Sequence, residues 1–160
     1  MRIPDLGPRG EGWVAGQLVL LLAIAASGAL SLSHPWLGGG LRWTAAVLGA
    51  GLIVTGAWLA LRGLADLGSN LTPVPYPRAQ SQLVEDGVYR HLRHPIYAGI
   101  VAGSLGWGLL AATPITVALV LVLGGWFDLK ARREEAWLRE RYPGYAAYAA
   151  RTRRFVPGIY

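Results

Sequence analysis

Apolar runs separated by polar, turn-forming segments organise this sequence. The first extends from about Trp13 to Leu32 and the second from about Leu41 to Leu61. Each approaches the ~20 residues that carry a helix across the hydrocarbon of a bilayer. Pro35 and the glycines at 38, 39 and 40 break the helix between them. A third run extends from Pro95 to Ala111 and a fourth from Pro114 to Leu129, both near the ~17-residue lower limit for a span. Only Ala112 and Thr113 separate these two, which predicts a tight antiparallel helical hairpin. Pro114 suits the first turn of the returning helix. The pattern therefore predicts an all-α, polytopic membrane bundle of about four transmembrane helices. Gly49, Gly51, Gly56 and Ala60 are small residues that allow close helix approach in lipid.

The segment from Arg62 to His94 is polar and holds Pro73, Pro75 and Pro77, so it is no single helix. Long ordered segments of this kind usually carry function or link domains. After the fourth run, Leu138, Tyr142, Tyr145 and Tyr148 recur at helical spacing with arginines between them. That describes an amphipathic tail helix on the membrane surface, broken at Pro143 and Gly144. The small residues from Ala25 to Ala29 imitate a signal-cleavage site, but the further spans favour a retained first helix.

Composition agrees with lipid as a solvent. Hydrophobic residues make up 53% of the chain and charged residues 15%, against about 25% charged in soluble domains. The net charge of +6 would suggest nucleic acid in a soluble protein. Here the basic residues fill gaps between apolar runs, which fits a membrane face and argues against nucleic acid. The absence of cysteine excludes a disulfide framework, a thiolate metal site and a cysteine nucleophile. Arg2 and Arg9 precede the first span, Arg62, Arg78, Arg90 and Arg93 follow the second, and the tail from Lys130 is arginine-rich. The two short connections hold only Arg42 at their edge. The positive-inside rule then places both termini and the long segment in the cytoplasm. Nothing in the pattern specifies an oligomer.

Two polar clusters meet at that face. One leads into the third span and includes Tyr89, Arg93, His94 and Tyr97. The other leaves the fourth, with Lys130, Glu134 and Glu135. The short hairpin connection brings them together, and ionisable groups at such a depth are costly unless paired or used. Simpler roles exist for each. The arginines suit anchors to lipid phosphates, and the tyrosines and Trp126 suit an aromatic belt. Glu134 and Glu135 suit pairing with neighbouring arginines on a solvated helix face. His91 and His94 are three apart, but Pro95 disfavours helix at His94 and no third ligand accompanies them.

The order of motifs favours use. Leu83, Val84, Gly87, Tyr89, the run Arg93-His94-Pro95, Tyr97 and Gly99 precede the hairpin, and Glu134, Glu135, Tyr145, Tyr148, Arg154 and Pro157 follow it. This resembles the isoprenylcysteine carboxyl methyltransferase family over roughly Leu67 to Pro157. Leu67 with Gly68, and the run Thr72 to Pro75, resemble the upstream loop of bacterial members. The first two spans carry no signature of it.

The resemblance implies a membrane methyltransferase using S-adenosylmethionine, with residues 1–66 as two leading spans and 67–160 as the methyltransferase core of one membrane-embedded domain. The cofactor contacts it implies are Ser81, Gln82, Leu83 and Val84, then Tyr89, then His94, Pro95, Ile96 and Tyr97, then Glu134. It implies catalytic positions at Arg93 and Glu135, with both glutamates near polar groups of the cofactor. Lys130 stands where the family often has arginine, and with Arg154 it would orient a small or lipophilic acceptor entering from membrane lipid. Lysine keeps the charge but not the bidentate fork. Val88 stands where many members have proline, and Tyr142-Pro143-Gly144 is one residue shorter than usual. Oxygen, nitrogen and sulfur acceptors all remain open. A membrane NADPH-dependent sterol- or enone-type reductase and a non-enzymatic scaffold are the competing readings; the second leaves both polar clusters unexplained.

Overall fold

The computed structural model describes residues 4–77 and 80–160; Arg2 and Arg78 lie outside them. Helix α1 is Glu11–Ser31, α2 Gly39–Leu67, α3 Pro95–Leu110, α4 Pro114–Arg141 and α5 Tyr145–Arg151. Short 3-10 turns occupy Gly68–Asn70 and Gly87–Arg90. Among the described residues the only extended pairing is one parallel bridge between Leu92 and Arg153. Helices α1, α2 and α4 are long and apolar enough to cross a membrane, and α3 is a shorter apolar helix. Leu22, Leu30 and Leu121 stand 71%, 80% and 73% exposed on the exterior, a surface suited to lipid and not to water. The chain is an integral membrane protein built as a helical bundle.

Two helices run past their expected ends. α2 continues beyond Leu61 to Leu67, and α4 beyond Leu129 to Arg141. Hydropathy marks where lipid would end, not where backbone hydrogen bonding stops. Arg62 pairs with Asp66 and Arg132 with Asp128 at one-turn spacing, so these extensions have charged, helix-supporting surfaces. The extension of α4 is what carries Lys130, Glu134 and Glu135 as a continuation of a rigid span.

α2 and α3 meet through backbone. A Cβ added at Gly49 would lie 2.6 Å from the Gly106 carbonyl oxygen, and one at Gly56 2.5 Å from that of Gly99. Gly63 repeats the contact one heptad on, against Pro95 and Ile96. Close approach of this kind supplies the packing that hydrophobicity cannot supply between helices in lipid. Gly51 faces open space instead. α1 docks on the far side of the hairpin. The Trp107 indole donates to the Ile24 carbonyl at 3.2 Å, the Trp126 indole to the Trp13 carbonyl at 3.0 Å, and Ser27 and Thr116 hydroxyls meet at 2.8 Å.

The hairpin turn is tighter than its chemistry suggests. Ala112 adopts φ 50°, the left-handed region, while Ala112 N–H bonds to Leu109 O at 3.1 Å and Thr113 N–H to Gly108 O at 3.3 Å. This is a Schellman-type helix end with alanine where glycine is usual.

The tail differs in one respect from a surface helix. Tyr145 and Tyr148 on α5 are 1% and 2% exposed, so the aromatic face packs against protein. The Tyr148 hydroxyl donates to the Tyr89 carbonyl at 2.8 Å. Periodicity identified an apolar face but not what would cover it. Beyond α5 the chain returns to the start of α3, with Arg93 N–H on Arg153 O at 2.8 Å and His94 N–H on Arg154 O at 3.1 Å.

Candidate functional site

Pro95 opens α3, and this fixes the site. Proline at the first helical position forces the preceding His94 out of helical geometry, to φ −128° and ψ 59°. His94 makes no side-chain cap, so its ring is free to reach α4. Its Nε2 lies 3.3 Å from Glu135 Oε1 and its Nδ1 3.8 Å from Glu134 Oε2. One imidazole thus bridges the two carboxylates. It stacks on Tyr97 at 5.3 Å, and Tyr97 stacks on Phe127 at 4.7 Å, both nearly parallel. The Tyr97 hydroxyl donates to Glu134 Oε2 at 2.8 Å.

Glu135 is fully buried and closely bonded. Arg93 Nε donates at 2.9 Å, Arg154 donates through Nε at 3.0 Å and Nη2 at 3.1 Å, and Arg139 Nη2 at 3.3 Å. Arg93 also spends Nη1 on the Thr152 and Ala149 carbonyls. The Glu135 bonds hold the Arg154 guanidinium firmly charged, its pKa raised beyond the ordinary arginine range. Each partner comes from a different stretch of chain, so this carboxylate ties the start of α3, the extension of α4 and the tail into one unit.

In front of it lies a cavity of about 250 Å³. Ser81, Gln82, Leu83 and Val84 line it from the segment after α2, with Tyr89, Arg93 and His94. Ile96 and Tyr97 line it from α3, and Lys130 and Glu134 from α4. Three expected residues are placed elsewhere. Pro95 is buried against Gly63, Glu135 sits behind the cavity wall, and Arg154 lies on the far side of Glu135. Residues 70–77 and 80–85 are pinned beside the cavity: Gln82 N–H bonds to Asn70 Oδ1 at 2.9 Å, the Ser81 and Tyr142 hydroxyls meet at 2.6 Å, and Arg151 pairs with Glu85. Underneath, Asp66 Oδ2 accepts from Val88 N–H at 2.9 Å.

Other lining residues were not expected. Tyr142, Tyr145 and Tyr148 come from the tail, and Val14 and Gln17 from α1. Burial first, then nearby charges such as the Glu135 carboxylate, raise the Tyr145 hydroxyl well above the usual phenol range, so it stays a hydrogen-bond donor. That hydroxyl is buried and has no hydrogen-bond partner among the described residues. Gln17 carried a signal: it is the only polar side chain between Val14 and Ala26. Among the described residues no group of three His, Asp or Glu side chains is placed to hold a metal ion.

The family model described as phospholipid methyltransferase matches residues 44–144, from the second turn of α2 to the residue before α5. This chain belongs to that family. The match includes the whole cavity wall contributed by α2, α3 and α4 and omits α1. Relatives include a probable protein-S-isoprenylcysteine O-methyltransferase of Oryza sativa subsp. indica, 29% identical over 121 residues, 73% of this chain and 63% of the relative. A protein-S-isoprenylcysteine O-methyltransferase of Saccharomyces cerevisiae is 28% identical over 117 residues, 71% of this chain and 49% of its own. A cobalt-zinc-cadmium resistance protein of Cupriavidus metallidurans is 33% identical over 83 residues, 51% of this chain and 38% of its own. The chain thus spans less than two thirds of the length of these relatives.

Proposed function

We propose that this protein is an S-adenosylmethionine-dependent methyltransferase that acts inside the membrane on a lipophilic acceptor. The supporting observation is the cavity, where nine of the ten expected cofactor positions, all but Pro95, line one wall system. The residues fit a ligand of that kind. The orphaned Tyr145 hydroxyl and the Glu134 carboxylate offer a donor and an acceptor for its polar groups, and Leu83, Val84 and Ile96 offer apolar walls. The bound cofactor supplies an already activated methyl group.

What remains for the protein is to bind, align and exclude water. His94 and Tyr97 hold the Glu134 carboxylate at the cavity wall. Glu135 and Arg93 act as positioning residues that fix His94, and Arg154 acts through Glu135. Residues 70–75 and 81–84 wall the cavity on the side away from the hairpin and would limit the entry of water. Lys130 presents an ammonium at the deeper end, where an acceptor's polar head would sit while its tail stays in lipid. The polar ends of the helices carry most of the arginines, so we place them and both termini in the cytoplasm of a cytoplasmic membrane. Reporter fusions after Tyr160 should report cytoplasm and fusions at Gly39 the opposite side; an external Tyr160 would overturn that orientation.

The direct test is binding of S-adenosylhomocysteine to purified protein. A charge-assisted hydrogen bond contributes about 1.5–3 kcal/mol. His94→Ala and Glu134→Ala should each weaken binding by roughly tenfold to more than a hundredfold, while both variants still insert and purify. Unchanged binding in both would remove the cofactor assignment.

A further inference from the structure

Outside the cavity, the charges at the polar end of the bundle do not balance. Glu135 takes ion pairs from Arg93, Arg139 and Arg154, and Asp128 takes them from Arg132 and Arg154. Four arginines thus share two carboxylates. Arg153 adds a fifth cation beside them: it is exposed, and its side chain makes no hydrogen bond or ion pair among the described residues. Arg93 Nη2 likewise makes no hydrogen bond among them.

This excess surrounds a second crevice, of about 270 Å³, lined by Arg93, Thr152, Arg153, Arg154, Ile159 and Tyr160 among others. Among the described residues no acidic side chain lines it. The fold holds it in shape. Arg153 N–H bonds to His91 O at 3.1 Å, and Phe155 and Val156 N–H both bond to Tyr160 O at 2.7 Å. The Tyr160 hydroxyl accepts from Arg154 Nη1 at 2.8 Å and donates to Asp128 Oδ1 at 2.9 Å. The position suits a lipid head group. α4 still presents Leu121 and Val122 to the exterior, and Asp128 lies only about 9 Å further along the helix. Ile159, 79% exposed, gives the crevice an apolar edge beside its guanidinium groups.

We propose that this crevice binds the phosphodiester of an anionic phospholipid, with Arg153 as its main cation and Ile159 against the acyl chains. The inference goes beyond the methyltransferase reading and does not depend on it: the lipid held here is not the methyl acceptor, although Arg93 borders both spaces. A phosphodiester carries one negative charge on two oxygens, which a guanidinium fork can meet together. A zwitterionic head group would bring its own cation among arginines already in excess.

The test adds phosphatidylglycerol, phosphatidylcholine or inorganic phosphate to purified protein in detergent. Binding is read by native mass spectrometry and folding by thermal unfolding. The wild type should bind phosphatidylglycerol roughly tenfold more tightly than phosphatidylcholine, the size of one charge-assisted hydrogen bond. Inorganic phosphate at the same concentration should not displace it. Arg153→Gln should remove the preference and leave Tm in lipid-free detergent unchanged, because that side chain holds nothing in the fold. Arg90→Gln removes another exposed, unpaired arginine from the same end of the bundle but outside the crevice, and should alter the preference by about twofold or less. Ile159→Ser should weaken both lipids alike. Equal losses in Arg90→Gln and Arg153→Gln would mean diffuse surface attraction and overturn the proposal. So would a wild type without the preference, a comparison that needs no variant. Displacement by inorganic phosphate would assign the crevice to a soluble anion and overturn the lipid as its ligand.

Discussion

Glu135 and Lys130 lie on the same helix, little more than one turn apart, and both are withdrawn from solvent, at 0% and 4% exposure. Their surroundings differ completely. Glu135 receives bonds from Arg93, Arg139, Arg154 and His94. Lys130 has one amide and two aromatic faces. Burial alone would mark both as functional. Charge compensation separates them: the carboxylate is matched by ion pairs within the chain and ties its segments together, whereas the ammonium makes no ion pair among the described residues and is the group we propose for the acceptor.

The largest effect should come from breaking the compensated centre. Glu135→Ala strands Arg93 and Arg154 at 11% and 15% exposure, and orphaning buried partners of an ion pair costs about 3–5 kcal/mol. Unfolding in mixed detergent should show that loss, and limited proteolysis should cut first in the tail, where Arg153 and Arg154 dock. Lys130→Met should behave in the opposite way. It removes a charge that makes no ion pair among the described residues and keeps an apolar stem, so stability should stay within about 1 kcal/mol of wild type, in the range usual for changes that break no buried ion pair. Binding of S-adenosylhomocysteine should persist while methyl transfer falls sharply, and Lys130→Arg should retain or raise transfer. Equal destabilisation by Glu135→Ala and Lys130→Met would erase the distinction between the two centres. Normal transfer in Lys130→Met would reduce the lysine to an anchor.

Much of this was legible beforehand, and the part that was not has a common cause. The four apolar runs, the two-residue connection between α3 and α4 and the pairing of the His94 and Glu134 clusters follow from hydropathy, helix length and proline chemistry, which act locally. The α2–α3 contact was half legible: Gly49 and Gly56 face α3, whereas Gly51 faces away and Gly63 went unmarked. Composition identifies a small residue but not the face it occupies. The return of Arg153 and Arg154 to the start of α3, and the inward turn of Tyr145 and Tyr148, depend on contacts across about 60 residues. No local rule specifies those. The second glutamate illustrates the limit: spacing placed it beside the first, but successive helical residues point about 100° apart, so only one of the two reaches the cavity.

The smallest expected effect calibrates the comparison. Ser27 and Thr116 join α1 to α4 by one neutral hydrogen bond in the apolar interior, with Thr116 fully buried. Thr116→Val removes the bond with little change of shape. The Ser27 hydroxyl retains a second partner, the Ile24 carbonyl at 3.1 Å, so nothing buried is orphaned. Interhelical hydrogen bonds of this type in membrane bundles average about 0.6 kcal/mol, because the separated helices also find partners. Thr116→Val should therefore lower stability by about that amount, measured by unfolding in mixed detergent, with α1 kept in place by the Trp107 and Trp126 indoles. This value is the neutral reference for the charge-assisted Gln17–Lys130 bond, which joins the same two helices and should weigh more. A loss near 3 kcal/mol would mean that neutral polar contacts in this bundle weigh as heavily as the ionic centre at Glu135. The Gln17–Lys130 bond would then be explained as a helix clamp, and its lack of an ion pair would no longer single it out.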